Sequence, residues 1–337
     1  MKVSDFQYDL PEEAIAQSAI EPRHYSRLLD TRDMSDHRFL DLADLLDPGD
    51  LLVVNETKVR PARLPAVRRE TRGSVELLIL EDLGDGSWDA LARPSRRLRP
   101  GVVLDVGDLE VVVVSEPEEG KVRVRIGSDD PEAAIREKGS MPLPPYFHGA
   151  LADPDRYQTM FAATPGSAAA PTAGLHFTDQ VIERVKAKGI SIARVDLHVS
   201  LDTFRPITVD DIDEHEMHTE WCSIPSEAAE AISAARTHGG KVVAVGTTVV
   251  RTLETMSDGH GGVVVGERRT NLFLRPGSEF QVVDALITNF HIPGSTLLVL
   301  LAAFMGPAWR DAYETALDRG YRFLSFGDAM FAVRNRT

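Results

Sequence analysis

Residues 241–254 read KVVAVGTTVVRTLE, and the fold turns on them. The run VVAV is short, continuous and apolar, and it stops at Gly246, as a strand buried on both faces would. Thr247 and Thr248 then open a segment with helical apolar spacing, predicted over 248–257. A strand that passes through a glycine straight into a helix is the start of an α/β unit. Working outward, the same alternation recurs. The spacing predicts a helix over 179–188, a strand over 191–199, a helix over 226–237 capped by Ser226, a strand over 281–288 and a helix over 295–305 capped by Ser295. This indicates an α/β layer with a largely parallel sheet, which the earlier strand DLLVVN joins. Between about residues 60 and 130 the rhythm differs. VELLIL, WDALAR, GVVLDV, LEVVVV and KVRVRI follow one another across tight turns with no helix between them, the pattern of a small antiparallel barrel. MPLPPY at 141–146 serves as its exit linker. The expectation is a discontinuous α/β catalytic domain, residues 1–62 and 147–337, interrupted by an inserted β-barrel domain at 63–146.

A chain of 337 residues with 43% hydrophobic and 26% charged content suits two globular domains rather than disorder. The opening MKVSDFQYDLPEE lacks an apolar signal region, and the longest apolar run, TLLVLLAAFM, is too short to span a bilayer. Cys222 is the single cysteine, so neither an internal disulfide nor a cysteine-built metal cage is expected, and a cytoplasmic location is the default. The net charge of -15 argues against a protein that binds nucleic acid by global positive charge. Locally the balance reverses, with ten basic and six acidic residues between Lys58 and Arg99. A polyanion has one place to land there, although a merely solvated arginine-rich surface fits the charge equally well.

Four stretches carry chemistry. In KVVAVGTTVVRTLE, Thr247 and Thr248 sit at a helix opening with free amides, and Arg251 lies four residues after Thr247, so the three suit a carboxylate or phosphate. A threonine cap with Arg251 paired to an acid is as good a reading of the residues alone. PTAGLHFT at 171–178 enters a helix and holds Thr172, Gly174, His176, Phe177 and Thr178, with Thr178 as the expected N-cap. VDLHVSLDTFRP at 195–206 ends a strand at His198 and carries Phe204 and Arg205. ITNFHIPGST at 287–296 places Asn289, Phe290 and His291 before the Ser295 cap. The last three each set a histidine and a phenylalanine beside an α/β element, which raises the case for a shared site combining proton transfer with flat apolar faces. DEHEMHTEW at 213–221 competes. His215 and His218 could meet on one helical face and bind metal with nearby glutamates, but their spacing departs from H-E-x-x-H, and a ligand-facing hydrogen-bonding pair is preferred. Dinucleotide, P-loop and α/β-hydrolase fingerprints are absent.

The blocks VSDFQYDLPEEAIAQ, LLVVNETKVRPARL, MPLPPY, APTAGLHFT, LHVSLDTFRP, HEMHTEW, AVGTTVVRTLE, VVDALITNFHIPGSTLL and YRFLSFGDAMF resemble, in order and spacing, the S-adenosylmethionine:tRNA ribosyltransferase-isomerase family of queuosine biosynthesis. The resemblance spans about residues 1–332. It implies an α/β domain interrupted by a small barrel. It also implies transfer of the ribosyl group of S-adenosylmethionine to 7-aminomethyl-7-deazaguanine at a tRNA wobble position, with isomerisation to epoxyqueuosine and release of adenine and methionine. Such chemistry needs a base beside the sulfonium and an acid for departing adenine, so His176 and His198, then His291, are the expected proton-transfer groups. Thr247, Thr248 and Arg251 are assigned to the methionine carboxylate, and Phe177, Phe204 and Phe290 to a ring. Thr172, Gly174, Thr178, Arg205, His215, His218 and Asn289 complete the expected substrate contacts. The tRNA anticodon arm becomes the candidate partner of Lys58, Arg60, Arg63, Arg96, Arg97 and Arg99. No metal or other cofactor is expected, since S-adenosylmethionine is here a substrate, and no membrane or obligate protein partner is indicated.

Within the matching blocks the chain departs from the family pattern at Glu56, Ser200, Asp202, Arg275, Gly294 and Phe326. Two of these changes add an acid and one removes a base. Three alternatives therefore stay open: the same ribosyl chemistry on a small-molecule acceptor, a metal-dependent hydrolase built on His215 and His218, and a non-catalytic RNA-binding relative.

Overall fold

The structure, a computed structural model, describes residues 1–148, 153–200 and 206–335. It divides into two compact units, one of Met1–Thr57, Pro144–Thr164 and Ala170–Thr337, the other of Lys58–Leu143 and Pro165–Ala169. The barrel-bearing unit thus begins before residue 63 and takes in a second segment beyond 146.

From the amino end the chain runs through β1 (Arg27–Asp30), β2 (Ser35–Arg38), β3 (Leu51–Asn55) and β4 (Thr57–Val59). Next come β5 (Arg63–Arg68), β6 (Ser74–Asp82), β7 (Trp88–Arg93), β8 (Val103–Val106), β9 (Leu109–Val113), β10 (Lys121–Ile126), α1 (Pro131–Lys138) and β11 (Thr164–Ser167). It continues through α2 (Asp179–Ala187), β12 (Ser191–Leu197), β13 (Glu220–Ile224), α3 (Ser226–Thr237), β14 (Val242–Val245) and α4 (Thr247–Thr255). The last elements are β15 (Gly266–Thr270), β16 (Ala285–Asn289), α5 (Thr296–Met305), α6 (Ala308–Asp318) and β17 (Ala329–Val333).

In the larger unit nine strands form one sheet in the order β15-β13-β12-β3-β14-β16-β17-β1-β2. The centre, β12-β3-β14-β16, is parallel throughout. Every residue of β3, β14 and β16 is buried, as expected of strands covered on both faces. Toward the edges the pairing turns antiparallel, with β13 and β15 on one side and β17 against β16 on the other, while β1 lies parallel to β17. The sheet is therefore mixed, and its parallel character belongs mainly to the core. α5 is apolar nearly all round and buried; the Ser295 hydroxyl accepts from the Leu298 amide at 3.3 Å and starts it where the sequence indicates.

The smaller unit holds a closed antiparallel barrel, β10-β7-β6-β5-β8-β9, whose strands alternate inward and outward, as in KVRVRI of β10. Its sixth strand, RLPAVR, escapes the sequence reading because Pro65 interrupts it.

Three local expectations change. Ser226 is the first residue of α3 rather than its cap, and its hydroxyl bonds to Glu227. The predicted strand over 281–288 begins only at Ala285, because the Glu254 carboxylate takes the amides of Gln281, Val282 and Val283 at 2.7, 3.1 and 3.0 Å. Thr178 occupies the N-cap position of α2 without a capping bond, its hydroxyl lying 2.7 Å from His24 Nδ1. Among the described residues no helix is long and apolar enough to cross a membrane.

Candidate active site

A cleft opens in the larger unit at the carboxyl ends of the central strands. Val199 follows β12, Gly246 to Thr248 follow β14, and residues from Thr288 to Ile292 close β16; Thr172, Tyr146 and Ser325 complete the polar wall. This is where α/β sheets collect ligands, because the chain reverses there and helix amides face outward. Gly246 sits at φ 94, a backbone conformation few side chains tolerate, and lets β14 turn directly into α4. Thr247 and Thr248 bring the start of α4 to the cleft, where its leading amides precede the helical ladder. Thr248 Oγ1 also receives Asn55 Nδ2 at 3.4 Å, and Asn55 is held in turn by the amide and carbonyl of Leu197.

Behind this wall runs a chain of hydrogen bonds. The Thr172 hydroxyl donates to Asn289 Oδ1 at 2.9 Å. Asn289 Nδ2 faces both the Asp328 carbonyl and His176 Nε2 at 3.1 Å each. His176 Nδ1 meets Ser26 Oγ at 2.7 Å, and its ring stacks on Phe39. Burial, aided by the Arg23 charge, lowers the His176 pKa to about 3, so the ring is neutral. His176 borders a second, smaller cavity with Arg23, Ser26 and Phe326, not the main cleft; Ser325 borders both. His291 does line the cleft. Its Nε2 lies 3.0 Å from Thr288 Oγ1, its amide donates to the Tyr313 hydroxyl at 2.8 Å, and burial lowers its pKa to about 3.

Of the residues singled out in the sequence, the cleft gathers Thr172, Thr247, Thr248, Asn289, Phe290 and His291. The remainder take other positions. Phe177 packs against Phe39 and Phe161 in the core rather than against a ligand. Gly174 makes room for Thr159, whose Cγ2 would stand 3.0 Å from an added Cβ, so its close neighbour is protein. Phe290, although it belongs to the cleft lining, has its ring packed among Tyr313, Tyr321 and Phe323. Arg251, 3% exposed, ion-pairs with buried Glu220 and donates to the Leu272 carbonyl at 3.2 Å, and it is not part of the cleft lining. Glu220 also accepts from the Ser200 amide at 2.8 Å and from His218 Nε2 at 3.2 Å. Burial opposes ionisation of Glu220, but Arg251 and His218 outweigh it and leave its pKa below the usual range. His215 and His218 share no helical face, because the short 3-10 turn ends at Glu214; the His215 ring meets Phe273 edge-on. His198 lies against the Trp221 ring, with centroids 4.5 Å apart. Phe204 and Arg205 lie outside the described residues. Ser26 lies in no block the sequence singles out, Asn55 and Tyr146 stand in LLVVNETKVRPARL and MPLPPY but were given no role there, and Glu220, read only as one of the glutamates that could complete a metal site, is instead the partner of Arg251.

On the barrel unit, three of the six expected nucleic-acid cations are already paired: Arg60 with Glu132 at 3.0 Å, Arg63 with Glu76 at 2.6 Å and Arg99 with Glu116 at 2.6 Å. Lys58, Arg96 and Arg97 are exposed, and among the described residues no ion pair neutralises them.

The fold and cleft define a class, a discontinuous α/β protein carrying an inserted barrel, with a ligand site at the ends of its parallel strands lined, among the described residues, by hydroxyls, an amide and apolar groups. The sequence pattern of the family described as queuosine biosynthesis protein matches residues 3–332, and the chain belongs to that family. It is 51% identical over 344 residues to the S-adenosylmethionine:tRNA ribosyltransferase-isomerase of Heliobacterium modesticaldum, covering 99% of this chain and all of the relative. Among solved structures, the S-adenosylmethionine tRNA ribosyltransferase of Thermotoga maritima is similar at 38% identity and a TM-score of 0.54, over 97% of this chain and 99% of that one.

Proposed function

We propose that this protein is an S-adenosylmethionine:tRNA ribosyltransferase-isomerase. It moves the ribosyl group of S-adenosylmethionine onto 7-aminomethyl-7-deazaguanine at a tRNA wobble position, rearranges it to epoxyqueuosine and releases adenine and methionine. The observation that carries this reading is the likeness to the Heliobacterium enzyme over 99% of the chain. The cleft is compatible with the chemistry. A sulfonium acidifies the ribose carbon beside it, so a proton acceptor is required near the donor, and adenine leaves more easily when a nitrogen is protonated. His291 is the histidine that borders the cleft, and it is neutral, the form able to accept a proton. Thr247 and Thr248, at the start of α4, suit the methionine carboxylate through backbone amides and hydroxyls. His176 acts in this reading through Asn289 rather than on the substrate. The exposed cations Lys58, Arg96 and Arg97 suit the RNA backbone.

The test is release of free adenine from S-adenosylmethionine, with and without tRNA bearing the aminomethyl-deazaguanine base. Adenine appearing only with the modified tRNA is the expected result. Release that ignores tRNA would transfer the reading to a small-molecule acceptor, and no release under either condition would overturn it. His291→Ala should abolish turnover while leaving donor binding within a few-fold.

A further inference from the structure

The hydrogen bonds behind the cleft have only one consistent direction, and it reaches the cleft surface. The Asp328 carbonyl can only accept, so the Asn289 atom that faces it at 3.1 Å is the amide nitrogen. Asn289 Oδ1 therefore faces Thr172, and since a carbonyl oxygen cannot donate, the Thr172 hydroxyl must give its proton at 2.9 Å. The second Asn289 N–H points at His176 Nε2, which must carry a lone pair; the ring proton sits on Nδ1 and goes to Ser26 Oγ at 2.7 Å. Asn289, His176 and Ser26 are all at most 4% exposed, so water does not reorder the chain. The consequence is that Thr172 meets the cleft with lone pairs alone.

We propose that Thr172 is a specificity-determining acceptor that selects an exocyclic amino group on the purine ring of the ribosyl donor, and that Asn289 and Ser26 are the positioning residues that keep it an acceptor. This rests on the reading of S-adenosylmethionine as donor. Three classes of ligand group could donate to Thr172, and the cleft distinguishes them. Among the described residues no carboxylate lines it, so an ammonium group would find no counter-charge from them. A ribose hydroxyl donates or accepts as required and needs no fixed polarity. An aromatic amino group is neutral, mainly donates, and is replaced by an acceptor in the 6-oxo purine. Two acceptors facing each other in a half-buried site leave both unpaired, which is how polar sites achieve strong rejection.

The experiment measures donor binding by calorimetry and donor use by base release, for S-adenosylmethionine and its hypoxanthine counterpart, in wild type, Thr172→Ser, Thr172→Val and Asn289→Leu. Wild type and Thr172→Ser should prefer the 6-amino donor by about 100-fold or more. Thr172→Val should bring the two donors within about tenfold. Asn289→Leu keeps Thr172 but frees its proton, so it too should lose preference, an effect that mere structural support would not produce. If Asn289→Leu fails to fold, the two Thr172 variants still decide. Preference that survives in Thr172→Val, or equal use of both donors by wild type, overturns the proposal while leaving the donor reading intact. Wild type that neither binds nor consumes S-adenosylmethionine overturns both.

Discussion

Asp196 on β12 is a carboxylate held where a charge is unwelcome. Its side chain is 6% exposed, and burial first, then the charge of Glu56, pushes its pKa from 3.8 to about 6. A group with a raised folded pKa stabilises fully below its unfolded value, and that contribution disappears as pH rises through the folded one. For Asp196 the window runs from 3.8 to about 6. The gap corresponds to about 3 kcal/mol lost once the pH is above both values. Asp196→Asn keeps the shape and removes the charge. At about pH 8 the variant should exceed wild type by up to ~3 kcal/mol, whereas near pH 4 the two should nearly coincide. Urea unfolding at the two pH values, followed by circular dichroism, reads the difference directly. A gap that is the same at both pH values, or a variant less stable than wild type at the higher one, would refute the reasoning.

The Arg251–Glu220 pair gives a second expectation. With side chains 4% and 1% exposed, Glu220→Gln should cost about 3–5 kcal/mol by stranding a buried cation, and adding Arg251→Met should recover most of it; single variants that each cost under about 1 kcal/mol would mean the pair is not structural. On the barrel, removing Lys58, Arg96 and Arg97 together should lower the slope of log affinity for tRNA against log salt by about 2–3. Arg99→Ala, whose cation is engaged with Glu116, should change it much less, and a slope unchanged in the triple variant would place the RNA elsewhere.

The parts of the fold that could be read from sequence are those where burial leaves a continuous signature. DLLVVN, KVVAVG and five of the six strands of the barrel announce themselves by apolar runs or alternation. GERRT of β15 could not be read this way, because an edge strand keeps three of its five residues, Glu267, Arg268 and Arg269, exposed. The site follows the same division. Thr172, Thr247, Thr248, Asn289 and His291 stand at strand ends or helix entries, positions that the alternation itself marks. The role of Arg251 was undecidable between ligand anion and protein acid, since its partner Glu220 lies 31 residues away, on β13 rather than on the helix that carries Arg251. Ser26 is 150 residues from the histidine it orients, and no periodicity connects them.

The charge distribution bears on how the cleft works. The chain carries a net -15, yet the cleft is lined by hydroxyls, an amide, backbone and apolar groups, with His291 neutral and the Tyr146 phenol pushed by burial well above its usual pKa. The buried pair Arg251 with Glu220, outside the cleft lining, is self-compensated and sealed. A sulfonium donor entering such a site brings a positive charge that none of the described lining side chains matches. Its ground state gains little from the protein's charges; a proton passed from the adjacent carbon to a histidine moves the positive charge onto the imidazole, and it is breaking of the carbon–sulfur bond, which leaves methionine as a neutral thioether, that removes the sulfonium itself. Desolvation also makes the sulfonium a stronger acidifier of that carbon, because less of its field is screened by water. The same burial that lowers the His291 pKa disfavours its imidazolium, so in the proposed reaction proton transfer to it rests on the acidity that the weakly screened sulfonium gives the carbon.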